Sequence, residues 1–241
     1  MKIPGKATQG LFTACLPFLF FSASIAWATN DVSLYTSGFE KYNVGAVTGL
    51  DRGELEKTAR GLISYWNSGA EFIDLTVIKD GQPFHLFNER EISHLKDVKA
   101  LFRLDYAVLF GTLLYALGYT AIRLFWKGRR DWQRLARGVA WGSALTLASM
   151  LAMGVTALLG EEQFARFWLQ FHLLSFANDL WQLDPTKDYL LMLVPEGFWF
   201  DTTRFIVFAC AGMAVVFGGT AAGFLRMAKM REKKLSGYGT P

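Results

Sequence analysis

Three histidines are the side chains of this 241-residue chain whose ordinary pKa lies close to neutrality, and they fall in two stretches. FHLFNEREISHLKDVKALFRLD (84–105) holds His85 and His94, and FHLLSFANDLWQLDP (171–185) holds His172. On a helix Asp97 lies one turn after His94, placed to hold a ring N–H and fix its tautomer. Asn178 and Asp179 stand close behind His172 as its polar support. His85 lies in an expected strand with no carboxylate in a suitable frame and reads as structural. A lone histidine usually packs or is merely exposed, so these residues alone weigh a functional pair and a structural one evenly. If functional, two imidazoles would move a proton and stabilise a developing oxyanion.

Other chemistries are poorly represented. There is no G-x-S-x-G elbow and no Gly-rich phosphate loop, and both cysteines, Cys15 and Cys210, fall inside apolar runs as packing residues. Serine or cysteine hydrolysis is therefore disfavoured. A metal held by His94, His172 and a carboxylate lacks any H-E-x-x-H-like spacing, so no metal or cofactor is expected.

The elements that must position the histidines follow from hydropathy. Apolar residues make up 52 % of the chain, concentrated in runs at 11–28, 106–126, 138–160 and 205–225. Each is close to the roughly 20 residues a membrane-crossing helix needs. Thirteen Lys or Arg but only Asp131 and Glu232 as acids occupy the N-terminal tail, the end of the second run, the 127–137 loop and the tail after Leu225. By the positive-inside rule these segments are cytoplasmic, which puts 29–105, 161–204 and all three histidines outside. The expected fold is mainly α, a polytopic membrane protein with four transmembrane helices and a small extracytoplasmic α+β cap. The basic residues flank spans and no nucleic-acid module accompanies them, so they read as lipid-facing anchors. Arg103 and Arg204, just outside the second and fourth spans, are snorkelling anchors by default and lipid-headgroup contacts on the sharper reading.

The first span, 1–28 with its short N-terminus, also resembles a signal peptide ending in Ala26-Trp27-Ala28, and an uncleaved helix is favoured. In the cap, 51–66 carries Leu55, Ala59, Leu62, Ile63 and Trp66 at helical spacing. A hairpin is expected from 72–78 and 84–87 around Asp80-Gly81. Asn88 and Glu91 form a capping-box pattern that starts a helix running into the second span. Gly138 with Gly142, and Gly219 with Gly223, read as helix-packing pairs. Residues 161–174 read as an amphipathic extension of the third span, 190–200 as an interfacial segment with Trp199 at headgroup depth, and 226–241 as a basic cytoplasmic tail.

FNEREISHLKDVKALF (87–102) and FHLLSFANDLWQLDPTKDYLLMLVPEGFW (171–199), separated by two spans and a basic loop, resemble the lipoprotein intramolecular transacylase family of bacterial integral membrane proteins. The resemblance covers nearly the whole chain. It implies transfer of the sn-2 acyl chain of a diacylglyceryl lipoprotein to the α-amine of its N-terminal cysteine, giving a lyso-form lipoprotein. By motif position it implies an essential pair, His94 and His172, with diacylglyceryl lipoproteins and membrane lipids as partners. Because amine and ester belong to one molecule, proximity supplies much of the rate and no enzyme nucleophile is needed. The expected roles are His94 as base, made more basic by Asp97, and His172 as oxyanion or leaving-group partner. Two alternatives stand beside this: an accessory or sensor whose cap binds lipid or a partner, and a metal-dependent membrane hydrolase. Oligomeric state is not legible in the sequence.

Overall fold

The computed structural model describes residues 5–125, 129–158 and 160–237. Its elements are, in order, α1 (Gly5–Asn30), α2 (Val32–Lys41), α3 (Val44–Thr48), α4 (Arg52–Asn67), β1 (Thr76–Lys79), β2 (Gln82–His85), α5 (Glu89–Phe125), α6 (Arg129–Leu158), α7 (Glu161–Ser175), α8 (Tyr189–Leu193) and α9 (Glu196–Gly237). Two compact units share them. One takes its described residues from 1–24, 106–153 and 207–241, the other from 25–105 and 154–206.

The first unit is a helix bundle. Helices α1, α5, α6 and α9 are each long and apolar enough to cross a membrane. Phe12, Leu16, Phe20, Tyr119, Met150 and Cys210 form its core, while Phe110, Leu114, Trp141, Leu151 and Val216 are exposed, as lipid-facing side chains must be. Gly138 and Gly142 let α1 and α6 approach: a Cβ on Gly138 would meet Phe12 at 2.9 Å, and one on Gly142 the Thr13 carbonyl at 2.9 Å. The second expected pair behaves differently. Gly219 and Gly223 face open space, and within the bundle a close contact on α9 is Gly218 against Ser143 at 2.7 Å.

The segment expected to be a basic loop is helical from Arg129, and residues 126–128 lie outside the described ones. A buried ion pair supports this first turn of α6, with Arg123 and Asp131 3.4 Å apart. Similarly, α9 carries the expected tail in helical form to Gly237. Residues 1–4, 159 and 238–241 are also outside the described set.

The second unit is the α+β part. Asp51 caps α4 by accepting the Glu54 N–H at 2.9 Å, and Leu55, Ala59, Leu62 and Trp66 are buried along one face. The hairpin is shorter than expected, pairing Thr76 with His85 and Lys79 with Gln82. Asp80 and Gly81 turn it with φ of 52° and 76°, both positive as a type I′ turn requires. His85 is exposed and does have a carboxylate neighbour, with Asp74 3.6 Å from Nδ1, because the cross-strand register brings Asp74 alongside.

Three further departures concern helices. Residues 32–48 form α2 and α3, which hydropathy did not announce. Gly160, at φ 102°, precedes α7, which is a separate helix rather than an extension of α6. The 190–200 stretch, expected at the membrane interface, turns apolar side chains into the cap. Leu190, Leu193, Val194 and Phe198 are buried in one core with Phe39, Leu62, Val77, Leu86 and Leu95, so its apolarity serves the cap interior. Gly197 permits this packing, since a Cβ there would sit 2.6 Å from the Tyr42 ring.

Candidate active site

A reciprocal capping box starts α5. Asn88 Oδ1 accepts the Glu91 N–H at 3.0 Å, and Glu91 Oε2 accepts the Asn88 N–H at 2.7 Å. Glu91 does more than cap. Its other oxygen accepts the Leu190 N–H at 2.6 Å, while Asn88 Nδ2 donates to Asp188 at 2.8 Å, and Asp188 accepts the Asp184 N–H at 2.6 Å. Burial pushes the Glu91 carboxyl up, and its two N–H donors oppose that. One buried carboxylate thus ties the first histidine-bearing segment to the chain that follows the second. The capping pattern was legible in sequence, but partners about a hundred residues away were not.

His94 follows Glu91 by one turn, twelve residues before the apolar run at 106–125, and His172 lies in the last turn of α7. The structure brings the two rings together, with centroids 6.1 Å apart and planes inclined by 31°. Phe176 touches both, at 5.1 Å and 5.5 Å. Trp168 and Trp181 close on His172 at 4.8 Å and 5.0 Å.

His172 Nδ1 lies 2.8 Å from the Trp168 carbonyl. A carbonyl only accepts, so Nδ1 carries the hydrogen, and the neutral ring keeps its lone pair on Nε2. Burial lowers the His172 pKa, and this hydrogen bond opposes the fall. His94 is 6 % exposed, and its Nδ1 has no hydrogen-bond partner among the described residues. Burial first, then the neighbouring His172, lower its pKa to about 4, against the pull of Asp97. Both imidazoles are therefore neutral at pH 7.

The pair lines a cavity of about 330 Å³. Leu62, Val98, Leu101 and Val194 supply aliphatic wall, and Trp66 and Phe171 aromatic wall. Asp105 is the one carboxylate among its lining residues, and no Lys or Arg is among them. Such a space suits an acyl chain and an uncharged ester. A larger hollow of about 650 Å³ lies among α2, α3 and α4, but its charges already pair, Arg52 with Glu40 at 3.3 Å and Arg60 with Glu56 at 2.7 Å.

The expected supporting residues are placed differently from their sequence reading. Asp97 accepts from Asn178 Nδ2 at 2.8 Å rather than from a ring N–H of His94, so it acts on His94 through charge alone. The backbone carbonyl of Asp179 accepts from Arg90 at 2.6 Å. Asn178 and Asp179 thus brace their loop on α5, and the bond that orients His172 comes from one turn back on its own helix. Arg103 is exposed and donates to the Ser68 carbonyl at 3.3 Å, while Arg204 lies over Phe200 at 5.5 Å. Neither lines the cavity. Among the described residues no group of three His, Cys, Asp or Glu is placed to hold a metal ion.

Comparison with solved structures finds the lipoprotein intramolecular transacylase Lit from Bacillus cereus at 17 % identity, over 93 % of this chain and 97 % of that one, with a TM-score of 0.75. Two single-histidine variants of that protein, one to arginine and one to alanine, match at 18 % identity with TM-scores of 0.71 and 0.69. The first covers 94 % of both chains, the second 93 % of this chain and 95 % of that one. A comparison with curated proteins gave no match. The description of the lipoprotein intramolecular transacylase Lit family matches residues 10–199, most of the chain. With four apolar helices of spanning length and that match, this chain belongs to the Lit family of lipoprotein intramolecular transacylases, membrane-integral acyltransferases.

Proposed function

We propose that the chain moves the sn-2 acyl chain of a diacylglyceryl lipoprotein onto the α-amine of that lipoprotein's N-terminal cysteine, using His94 and His172. The observation that carries this reading is the approach of two neutral, buried imidazoles inside an apolar cavity. The charge asymmetry of the sequence supports cytoplasmic termini and a cavity on the outer side, where lipoprotein N-termini are found. Asp97, Asn178 and Asp179 hold the two histidine segments in place, and Arg103 and Arg204 anchor the protein at lipid headgroups.

The hydrogen bond to Trp168 favours His172 as the base, the reverse of the roles suggested by sequence. An α-ammonium gives its extra proton to bulk water before the apolar site encloses it, and the lone pair so freed attacks the sn-2 carbonyl carbon. As the N–C bond forms, nitrogen becomes acidic and gives a proton to His172 Nε2. His94, neutral, directs a ring N–H at the oxyanion. The tetrahedral centre then collapses, the C–O bond to glycerol breaks, and His172 returns its proton to the departing oxygen. One amide replaces one ester, and the protein is unchanged.

The test is mass spectrometry of the N-terminal lipopeptide of a reporter lipoprotein, made with and without this protein in a host lacking other N-acylating enzymes. The expected result is one acyl chain moved from glycerol to nitrogen at unchanged total mass. An unaltered diacylglyceryl terminus, with the protein verified in the membrane, would overturn the reading.

A further inference from the structure

Trp66 closes the buried face of α4. It is 5 % exposed, lines the histidine cavity and packs edge-on against Phe102 at 5.1 Å. An indole N–H can only donate, yet Trp66 Nε1 is buried with no acceptor in reach among the described residues. Buried donors in native proteins are nearly always satisfied, so an exception in a binding cavity points to an acceptor brought by the ligand. Asp105, one turn past Phe102, is the one carboxylate of the lining. Leu62, Val98, Leu101 and Phe102 present hydrocarbon.

The donor's place along the cavity limits which atom it serves. Phe102 stands two turns beyond His94 on α5, roughly 12 Å by helical rise, so the indole is displaced from the reacting centre. A diacylglyceryl group carries two esters on adjacent glycerol carbons. One carbonyl must lie at the histidines for transfer, and the other is left to the wall. An ester carbonyl is uncharged, and a neutral N–H in an apolar wall satisfies it without burying an ion.

We propose that the Trp66 indole N–H donates to the sn-1 ester carbonyl, the one that does not react, and thereby presents the sn-2 ester to the histidines. This inference rests on the transacylase reading above. Trp66 is then a positioning residue, and it discriminates ester from ether at the sn-1 position.

The experiment uses the full chain in lipid nanodiscs with two synthetic lipopeptides, both bearing an sn-2 ester and differing in an sn-1 ester or an sn-1 ether. The wild-type protein should favour the ester on the order of five- to tenfold in kcat/KM, the worth of one neutral hydrogen bond. Trp66→3-benzothienylalanine, which replaces the N–H by sulfur at nearly constant shape, should treat the two alike. Trp66→Phe should show the same loss of discrimination on a lower baseline. Equal rates on both lipopeptides by the wild-type protein, a comparison that depends on no variant, would overturn the inference, as would a variant that keeps the wild-type preference. Failure of the wild-type protein to transfer from either lipopeptide would instead remove the transacylase reading, and this inference with it.

Discussion

Buried hydroxyls turn back on their own helix in both units, and the α+β unit adds buried polar bonds between segments about a hundred residues apart. In the bundle a buried hydroxyl turns back on its own helix: Ser24 donates to the Phe20 carbonyl at 2.8 Å and Thr146 to Gly142 at 2.9 Å. Its helices meet through glycine and shape. In the α+β unit buried polar groups reach across the sequence, as Glu91 does to Leu190 and Asn88 to Asp188. Both units leave buried polar atoms unpaired, but those on His94 and Trp66 belong to residues lining a cavity, whereas Tyr119 and Ser143 of the bundle line none of the hollows described here. The bundle is thus built for close packing, and the other unit for holding two distant segments in register around unsatisfied donors and acceptors.

The largest expected effect tests the chemical side of that contrast. His172→Ala or His94→Ala should lower acyl transfer by at least about a hundredfold, the low end for general acid–base catalysis, while membrane insertion and melting stay near wild type. Lipopeptide turnover beside a thermal melt of the purified protein measures both. Near-normal turnover in either variant would end the pairing.

Next in size come two structural changes, one in each unit. Gly142→Leu forces a side chain against the Thr13 carbonyl and should cost about 1–3 kcal/mol, visible as a lower Tm, whereas Gly223→Leu, facing open space, should change it little. Glu91→Gln keeps the shape but converts a charged acceptor of two N–H groups into an amide with one acceptor oxygen. That leaves a buried N–H unpaired, at about 1–3 kcal/mol. Hydrogen exchange should place the Glu91→Gln loosening at Asn88 and Leu190 and the Gly142→Leu loosening in α1 and α6. Exchange spread evenly over both units would erase the distinction.

This contrast also explains what was legible beforehand. Apolar run length, the Asp51 and Asn88 caps, and the Asp80-Gly81 turn depend on neighbours in sequence, and the spans, α4, the hairpin and α5 follow from them. The histidine segments were legible as types and motif positions. Their geometry was not, because the Trp168 carbonyl competes with Asn178 and Asp179 for His172, and Asn178 competes with His94 for Asp97, and only tertiary placement decides between them. Apolarity alone did not reveal the packing of 190–200 into the cap for a related reason, since hydropathy does not distinguish lipid from protein interior. Likewise Gly219 and Gly223 repeat the spacing of Gly138 and Gly142, but among the described residues no atom packs on either.

The smallest effect expected bears on the site's electrostatics, through Asp97. His94 titrates near 4 when folded and near 6.5 when unfolded, so the unfolded chain binds the extra proton between those values. Its contribution to stability is therefore full above pH 6.5 and is lost as pH falls towards 4. The acid limb of the rate profile that belongs to His94 should accordingly lie well below 6.5. Asp97 pulls this pKa up, so Asp97→Asn, which keeps an oxygen near Asn178, should move the His94 titration further down while changing turnover at pH 7 only a few-fold. Histidine ring NMR across pH 3–7 reads the shift directly. Because the native ring then refuses its proton over a wider range, the variant should also lose more Tm than wild type between pH 7 and 4. An unmoved or raised His94 titration would mean that Asp97 reaches His94 neither by bond nor by charge, leaving it only the bond to Asn178 that braces the loop.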